Sequence, residues 1–272
     1  MSVVLQTAPP KPSFLKDRDP GSGVLSPLRR SIRDAYIAAA DRGWFGLTPL
    51  KTHVVICGFP RSGTTLLQLM LETATPNALA FGRERGGLGV ARYTWPGKYP
   101  ILISKKPNDI FWVDEIREYY RGRQTQVRFV LSLRDPRAVL TSVFVDKPGY
   151  CVPADKWRSV YEHIQYQRQF PDVMLVEYRD VVERPDAVQE QLARFTGCDI
   201  QRLDQFHASV PAHFDTRALN GIRPLDRSSV DKWRDARHRA RIQHVLAELP
   251  ELPRRLIEMG YEPDASWTNE YR

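Results

Sequence analysis

Apolar positions along the chain fall into two alternating patterns. Short continuous runs, rich in β-branched residues, occur at 53–57, 101–104, 127–133 and 173–176. Runs of that length read as strands buried on both faces. Between them, apolar residues recur at helical spacing. Leu28, Ile32, Ala35, Tyr36 and Ala39 mark a helix running to about residue 42, with Ser26-Pro27 suited to its start. Leu66, Leu67, Met70 and Leu71 mark another over 64–74. Asn108 is placed to cap a helix carrying Ile110, Val113 and Ile116. Asp135-Pro136 is placed to start one carrying Val139, Leu140, Val143 and Phe144. Further helices are predicted over 154–169, 185–195, 230–246 and 252–259, with Gly197 and Gly260 stopping the second and the last.

Buried strands alternating with helices predict an α/β fold, a central parallel sheet covered on both faces. No internal repeat and no linker interrupts the pattern after residue 28, so one domain over 26–265 is expected. Residues 1–25, rich in Pro, Gly and Ser, read as a flexible arm. In such a sheet, ligands sit beyond the carboxyl ends of the strands, and there the candidate chemistry is sought.

Composition narrows the class without choosing a function. The 272 residues are 42% hydrophobic and 26% charged, which excludes a disordered or collagenous chain. No apolar run approaches the ~20 residues that span a bilayer, and the first residues lack the basic head and apolar run of a secretory signal. Cys57, Cys151 and Cys198 are too scattered for a disulfide framework or a cysteine-rich zinc site, so a reducing, cytoplasmic location is expected. The formal charge of +8 favours an anionic partner: a nucleic acid, a membrane surface or a phosphorylated small molecule.

The segment Gly58-Phe59-Pro60-Arg61-Ser62-Gly63-Thr64-Thr65 joins the first strand to its helix. It has the G-x-x-x-x-G frame of a P-loop, with Thr64 where that loop has lysine. Glycines let backbone N–H groups turn around an anion, and the following helix adds its free N–H groups and the positive end of its dipole. Ser62, Gly63, Thr64 and Thr65 supply further donors, and Arg61 brings a cation. The third strand ends at a second cation, Arg134, with Ser142 eight residues on. Arginine suits a phosphate because its planar fork grips two oxygens at once.

Pro60-Arg61-Ser62-Gly63-Thr64-Thr65 resembles the 5′-phosphosulfate loop of the sulfotransferases that use 3′-phosphoadenosine 5′-phosphosulfate (PAPS), bacterial and Golgi-type members in particular. The resemblance implies a P-loop-like, nucleotide-kinase-like fold and transfer of a sulfuryl group from PAPS, as co-substrate, to a hydroxyl or amine without a metal. It implies that Arg134 and Ser142 hold the 3′-phosphate. Ser104-Lys105-Lys106-Pro107 is similar to the family's K-x-P segment, which makes Lys105 the lysine beside the departing group and Lys106 its substitute. Leu175-Val176-Glu177-Tyr178-Arg179-Asp180 is similar to the Y-E-D segment, so Tyr178 is expected near the adenine, with Arg179 in place of the usual glutamate. Arg227-Ser228-Ser229, ahead of Lys232-Trp233-Arg234, is similar to the late segment that closes over the 3′-phosphate.

A hydroxyl acceptor calls for a general base. No histidine follows Lys105-Lys106, and by order along the chain Glu84 matches the glutamate of the Golgi and heparan-type relatives. A loop ion pair with Arg83 or Arg85 is the competing reading for Glu84, and His163 is a distant alternative base. The expected partner is a small-molecule or glycan acceptor, with neither nucleic acid nor a membrane span. Phe81, Tyr93, Trp95, Phe144, Tyr150 and Phe214 are candidates for lining its pocket. A P-loop kinase is the alternative enzyme. A nucleic-acid-binding protein is a third reading, resting on charge and on the basic run Arg237, Arg239 and Arg241.

Overall fold

The computed structural model describes residues 7–15, 26–95, 97–144, 147–200, 210–214 and 225–271. Five strands form one sheet in the order β2-β3-β1-β4-β5: β1 (Thr52–Gly58), β2 (Ala78–Leu79), β3 (Ile101–Lys105), β4 (Gln126–Leu133) and β5 (Val173–Glu177). All pairings are parallel. The two-residue edge strand β2 has no pattern long enough to be read from sequence. Every residue of β1 is buried. Val55 and Cys57 face one apolar cluster and Val54 and Ile56 the other, as strict alternation across a doubly covered strand requires.

The first face is covered by α4 (Val113–Tyr120), α6 (Ala154–Gln167), α9 (Arg239–Glu248) and α10 (Leu252–Glu258). The second is covered by α2 (Thr64–Ala74) and α8 (Pro185–Thr196). The helix α1 (Ser26–Asp41) lies outside, against α3 (Gly87–Tyr93). After β1 the chain fills β2 and β3 on one side, then crosses to β4 and β5 on the other. The strand order therefore reverses between β1 and β4, and a crevice opens at their carboxyl ends. No helix among the described residues is long and apolar enough to cross a membrane.

Several elements differ from the sequence pattern. The helix expected to reach Phe144 is the short α5 (Pro136–Leu140). The Thr141 hydroxyl bonds back to Arg137 O (2.7 Å), and Val143 then pairs antiparallel with Tyr150. Asn108 caps no α-helix: it lies inside the 3-10 segment Pro107–Trp112, and α4 starts after Trp112. The helix expected over 230–246 is broken into 3-10 turns at Arg227–Ser229, Lys232–Arg234 and Ala236–His238 before α9. Asp226 and Asp235 cause part of this, because their carboxylates cap the backbone of Ser228 and Arg237 and open new turns. The segment 7–15, expected within a flexible arm, packs on the body: Phe14 meets Phe111 edge-on and Lys11 reaches Trp112 and Glu115.

Candidate functional site

The loop after β1 turns where its backbone is least ordinary. Gly58 has φ +121, and a Cβ there would lie 2.6 Å from Ser132 O of β4, so only glycine lets the strands meet this closely. Arg61 has φ +65 and Gly63 φ +90, while Ser62 between them keeps negative φ. Alternation of that kind is the backbone form of an anion nest, with the Ser62 N–H donating to Phe59 O (3.3 Å) to close the turn. The first N–H groups of α2, which begins at Thr64, have no intrahelical acceptor and open on the same space. Arg61, a non-glycine residue in the left-handed region, is a strained position of the sort that clusters at ligand sites.

Arg134 leaves the end of β4 and spans three segments. Its Nη1 donates to Arg61 O (2.9 Å) and its Nη2 to Ser229 O (2.7 Å). Its Nε is buried without a partner, and burial lowers the guanidinium pKa. The guanidinium lies 4.3 Å over the Tyr178 ring. That ring also covers Gly63, where a Cβ would come within 2.5 Å of it. Ser229 Oγ donates to Asp226 O (2.5 Å), so the Tyr178 hydroxyl donates to Ser229 Oγ (2.8 Å). The Arg61 side chain turns to Ser142 Oγ (Nε donor, 2.8 Å). Residues from the ends of β1, β4 and β5 and from the late segment thus meet in one place.

The other side of the crevice is built from β3. Lys105 is 5% exposed and donates to Thr65 Oγ1 and to Glu84 Oε1, both at 3.2 Å. It brings beside the phosphate loop the ammonium that the loop itself lacks. Glu84, 53% exposed, therefore pairs with Lys105, not with Arg83 or Arg85. Its loop is held by Arg85 N donating to Lys105 O (3.1 Å) and Gly87 N donating to Asp109 Oδ2 (2.6 Å). Burial raises the Asp109 carboxyl to about 7. Lys106 is exposed and points toward Gly86. Lys156 of α6 joins the neighbourhood: burial lowers its pKa while the Glu84 charge opposes the shift.

Several expected roles change in the structure. Ser142 lies beyond the end of α5 rather than two turns into a helix. The Ser62 hydroxyl is buried and donates to Phe59 O (2.6 Å), so it shapes the loop instead of facing an anion. Ser228 gives both its N–H and its hydroxyl to Asp226 Oδ1, and Ser229 is buried against Tyr178, which leaves Arg227, exposed, as the outward group of that turn. Arg179 approaches Asp231 at 3.8 Å. His163 is buried, with Nδ1 on Ser159 O and its ring against Phe111, and burial lowers its pKa; it is a packing residue. The six aromatics do not gather into one pocket. Phe214 is in the α2-side core, Phe81 packs with Leu50, Val90 and Leu102, and Trp95 meets Tyr36 of α1.

Sequence reasoning passed over Ser132, Asp109 and Asp226. Ser132 Oγ donates to Ser62 O (2.9 Å) and fixes the loop. A serine inside an apolar strand was its one visible signal. Asp109 holds the Gly87 N–H, and Asp226 holds the Ser228 N–H and hydroxyl and the Lys232 ammonium, partners that only the fold brings to them. No disulfide joins any of the three cysteines. Among the described residues, no group of three His, Cys, Asp or Glu side chains gathers as metal ligands would.

No protein-family model and no curated protein matches the chain. Among solved structures, the chain is similar to the sulfotransferase domain from the Synechococcus PCC 7002 olefin synthase. Identity there is 20%, covering 68% of this chain and 88% of that one, with a TM-score of 0.49. It is also similar to the sulfotransferase domain from the curacin biosynthetic pathway, at 15% identity, covering 75% of this chain and 99% of that one, with a TM-score of 0.45.

Proposed function

We propose that the chain is a PAPS-dependent sulfotransferase acting on a hydroxyl or amine of a small-molecule or glycan acceptor, with no metal. One observation carries this reading. Arg134 bridges Arg61 O and Ser229 O while Arg61 reaches Ser142. Two guanidinium groups thus stand over neighbouring strand ends, as a nucleotide with two separate anionic groups requires. A P-loop kinase needs only the first of these sites and adds Mg²⁺.

The residues present fit the donor. Gly63 and the start of α2 offer N–H groups to the 5′-phosphosulfate, and Arg134, at the end of β4, supplies the positive charge opposite the 3′-phosphate. Bound PAPS supplies a sulfuryl group on a phosphate leaving group. The chain's own groups then do four things. Backbone N–H groups of 63–65 orient the leaving phosphate. Arg61 and Lys105 hold positive charge where the bridging oxygen gains electrons. Thr65 fixes the Lys105 ammonium. Glu84 takes the acceptor proton as the acceptor oxygen bonds to sulfur.

The test is release of 3′-phosphoadenosine 5′-phosphate (PAP) from sulfur-labelled PAPS against a panel of hydroxyl and amine acceptors, with chelator present. Label moving to an acceptor supports the reading. Mg²⁺-dependent phosphoryl transfer from ATP, with no sulfuryl transfer, would replace it.

A further inference from the structure

The apolar stripe of α1 does not face the core. Arg33, Ile37 and Ala40 turn inward, while Leu28 and Ile32 are 61% and 51% exposed. Trp95, also exposed, stands edge-on to Tyr36 with ring centroids 4.6 Å apart. Beyond the end of α1, the turn Trp44–Gly46 has no buried residue. Phe45 in that turn is 90% exposed and held at φ +56 between Gly43 and Gly46, both also at positive φ. Left-handed backbone is unfavourable for a bulky residue, yet here it projects two consecutive aromatics into solvent. Five of the eight large apolar side chains exposed among the described residues lie on α1, in the turn just after it or against its Tyr36.

Cations surround it. Arg29, Arg33 and Arg92, with Ile32, Tyr93 and Trp95, line a cleft of about 350 Å³. The Tyr93 hydroxyl is buried without a hydrogen-bond partner. Arg42 lies 5.4 Å over the Trp44 ring. Asp34, on the same helix, is committed to Arg123. A second copy meeting this face across a two-fold axis would set these arginines against themselves, so charge disfavours self-association. Exposed aromatic and aliphatic tips among arginines match the boundary between lipid headgroups and acyl chains.

We propose that this face docks on a membrane surface carrying anionic lipids. Leu28, Ile32, Trp44, Phe45 and Trp95 enter the headgroup boundary, and the exposed Arg29 and Arg42 bind lipid phosphates. The face lies toward the amino ends of the strands: Arg33 bonds Tyr119 OH (2.5 Å), and the adjoining Tyr120 OH bonds His53 near the start of β1 (2.8 Å). The phosphate loop, at the carboxyl ends, points away from the lipid.

Flotation of the full chain with vesicles tests this, using phosphatidylcholine alone and an equimolar mixture with phosphatidylglycerol. Binding is expected to the mixture only, and to fall as salt rises. The double variant Trp44→Ser, Phe45→Ser removes no buried contact; it should melt like the parent and bind the mixture about tenfold more weakly. Absence of binding to the mixture, equal binding to both vesicles, or full binding by the double variant would each overturn the proposal. So would a dimer in sedimentation velocity that the double variant dissolves while vesicles stay unbound, because a second copy would then be the occupant.

Discussion

On the side proposed for the nucleotide, each charged or aromatic group is tied to a segment far away in the chain: Arg134 to Arg61 and Ser229, Arg61 to Ser142, and Tyr178 to Ser229. On the side proposed for the acceptor, Glu84 has its ion pair with Lys105 and stays half open to water, on a loop fixed through Arg85 N and Gly87 N. The first arrangement keeps its shape before a ligand arrives, so a change there should propagate through several segments. The second leaves a carboxylate free to meet an acceptor, and its loss should affect chemistry more than shape.

Glu84→Gln tests the second half of that contrast and carries the largest expected effect. Turnover should fall roughly 10²–10⁴-fold, while calorimetry finds PAP affinity close to that of the parent. Loss of PAP affinity as well would mean that the acceptor loop also builds the nucleotide side. Arg134→Ala tests the first half. Removing a charge-assisted phosphate contact should weaken PAP binding by about 1.5–3 kcal/mol, read by the same calorimetry.

Two glycines sharpen the contrast further. Gly63→Ala puts a methyl group against the Tyr178 ring at φ +90, and strain of about 1–3 kcal/mol is expected. Thermal melting should show a lowered midpoint, with weakened PAP binding. Gly86 has φ −67 and ψ 132, and a Cβ there would meet Asp109 Oδ1 at an ordinary 3.4 Å. Gly86→Ala should leave the melting midpoint near that of the parent.

A pH dependence is expected at the end of β5. Burial raises the Glu177 carboxyl from 4.5 to about 7, against the hydrogen bond it accepts from Tyr261. The folded chain therefore holds this proton more tightly than the unfolded chain does. The associated stability is complete below about pH 4.5 and is lost as pH rises through about 7. Glu177→Gln keeps an acceptor for Tyr261 and cannot ionise. Its melting midpoint should exceed the parent's at pH 8, and the gain should vanish near pH 4.5.

How much of this was legible in the sequence follows the same division. The loop after β1 is contiguous, so its glycines, arginine and hydroxyls could be read together, and the apolar runs located β1, β3, β4 and β5 to within a residue or two. Arg134 and Ser142 were found as a spaced pair, although Ser142 sits in an extended segment that pattern reading had placed in a helix. Back-bonding by Thr141 ends that helix early, and composition carries no trace of such an event. The α1 helix was located, but which of its faces is buried was not legible, for a different reason. Periodicity reports that a helix has an apolar face but not what covers it, and here the buried face includes Arg33, held by Thr94 O and Tyr119 OH. Lys105 and Glu84 were each singled out, yet their pairing depends on the chain after β2 lying beside β3, which only the sheet order reveals.

The central claim is that two anion sites on neighbouring strand ends hold one nucleotide. Calorimetric titration of the parent chain with PAP and with AMP, in chelator, tests it most directly. The two ligands differ by the 3′-phosphate alone. PAP should bind more tightly than AMP by about 1.5–3 kcal/mol, the worth of a hydrogen-bonded charged contact, and Arg134→Ala should erase that difference. Equal affinity of the parent for PAP and AMP would contradict the account.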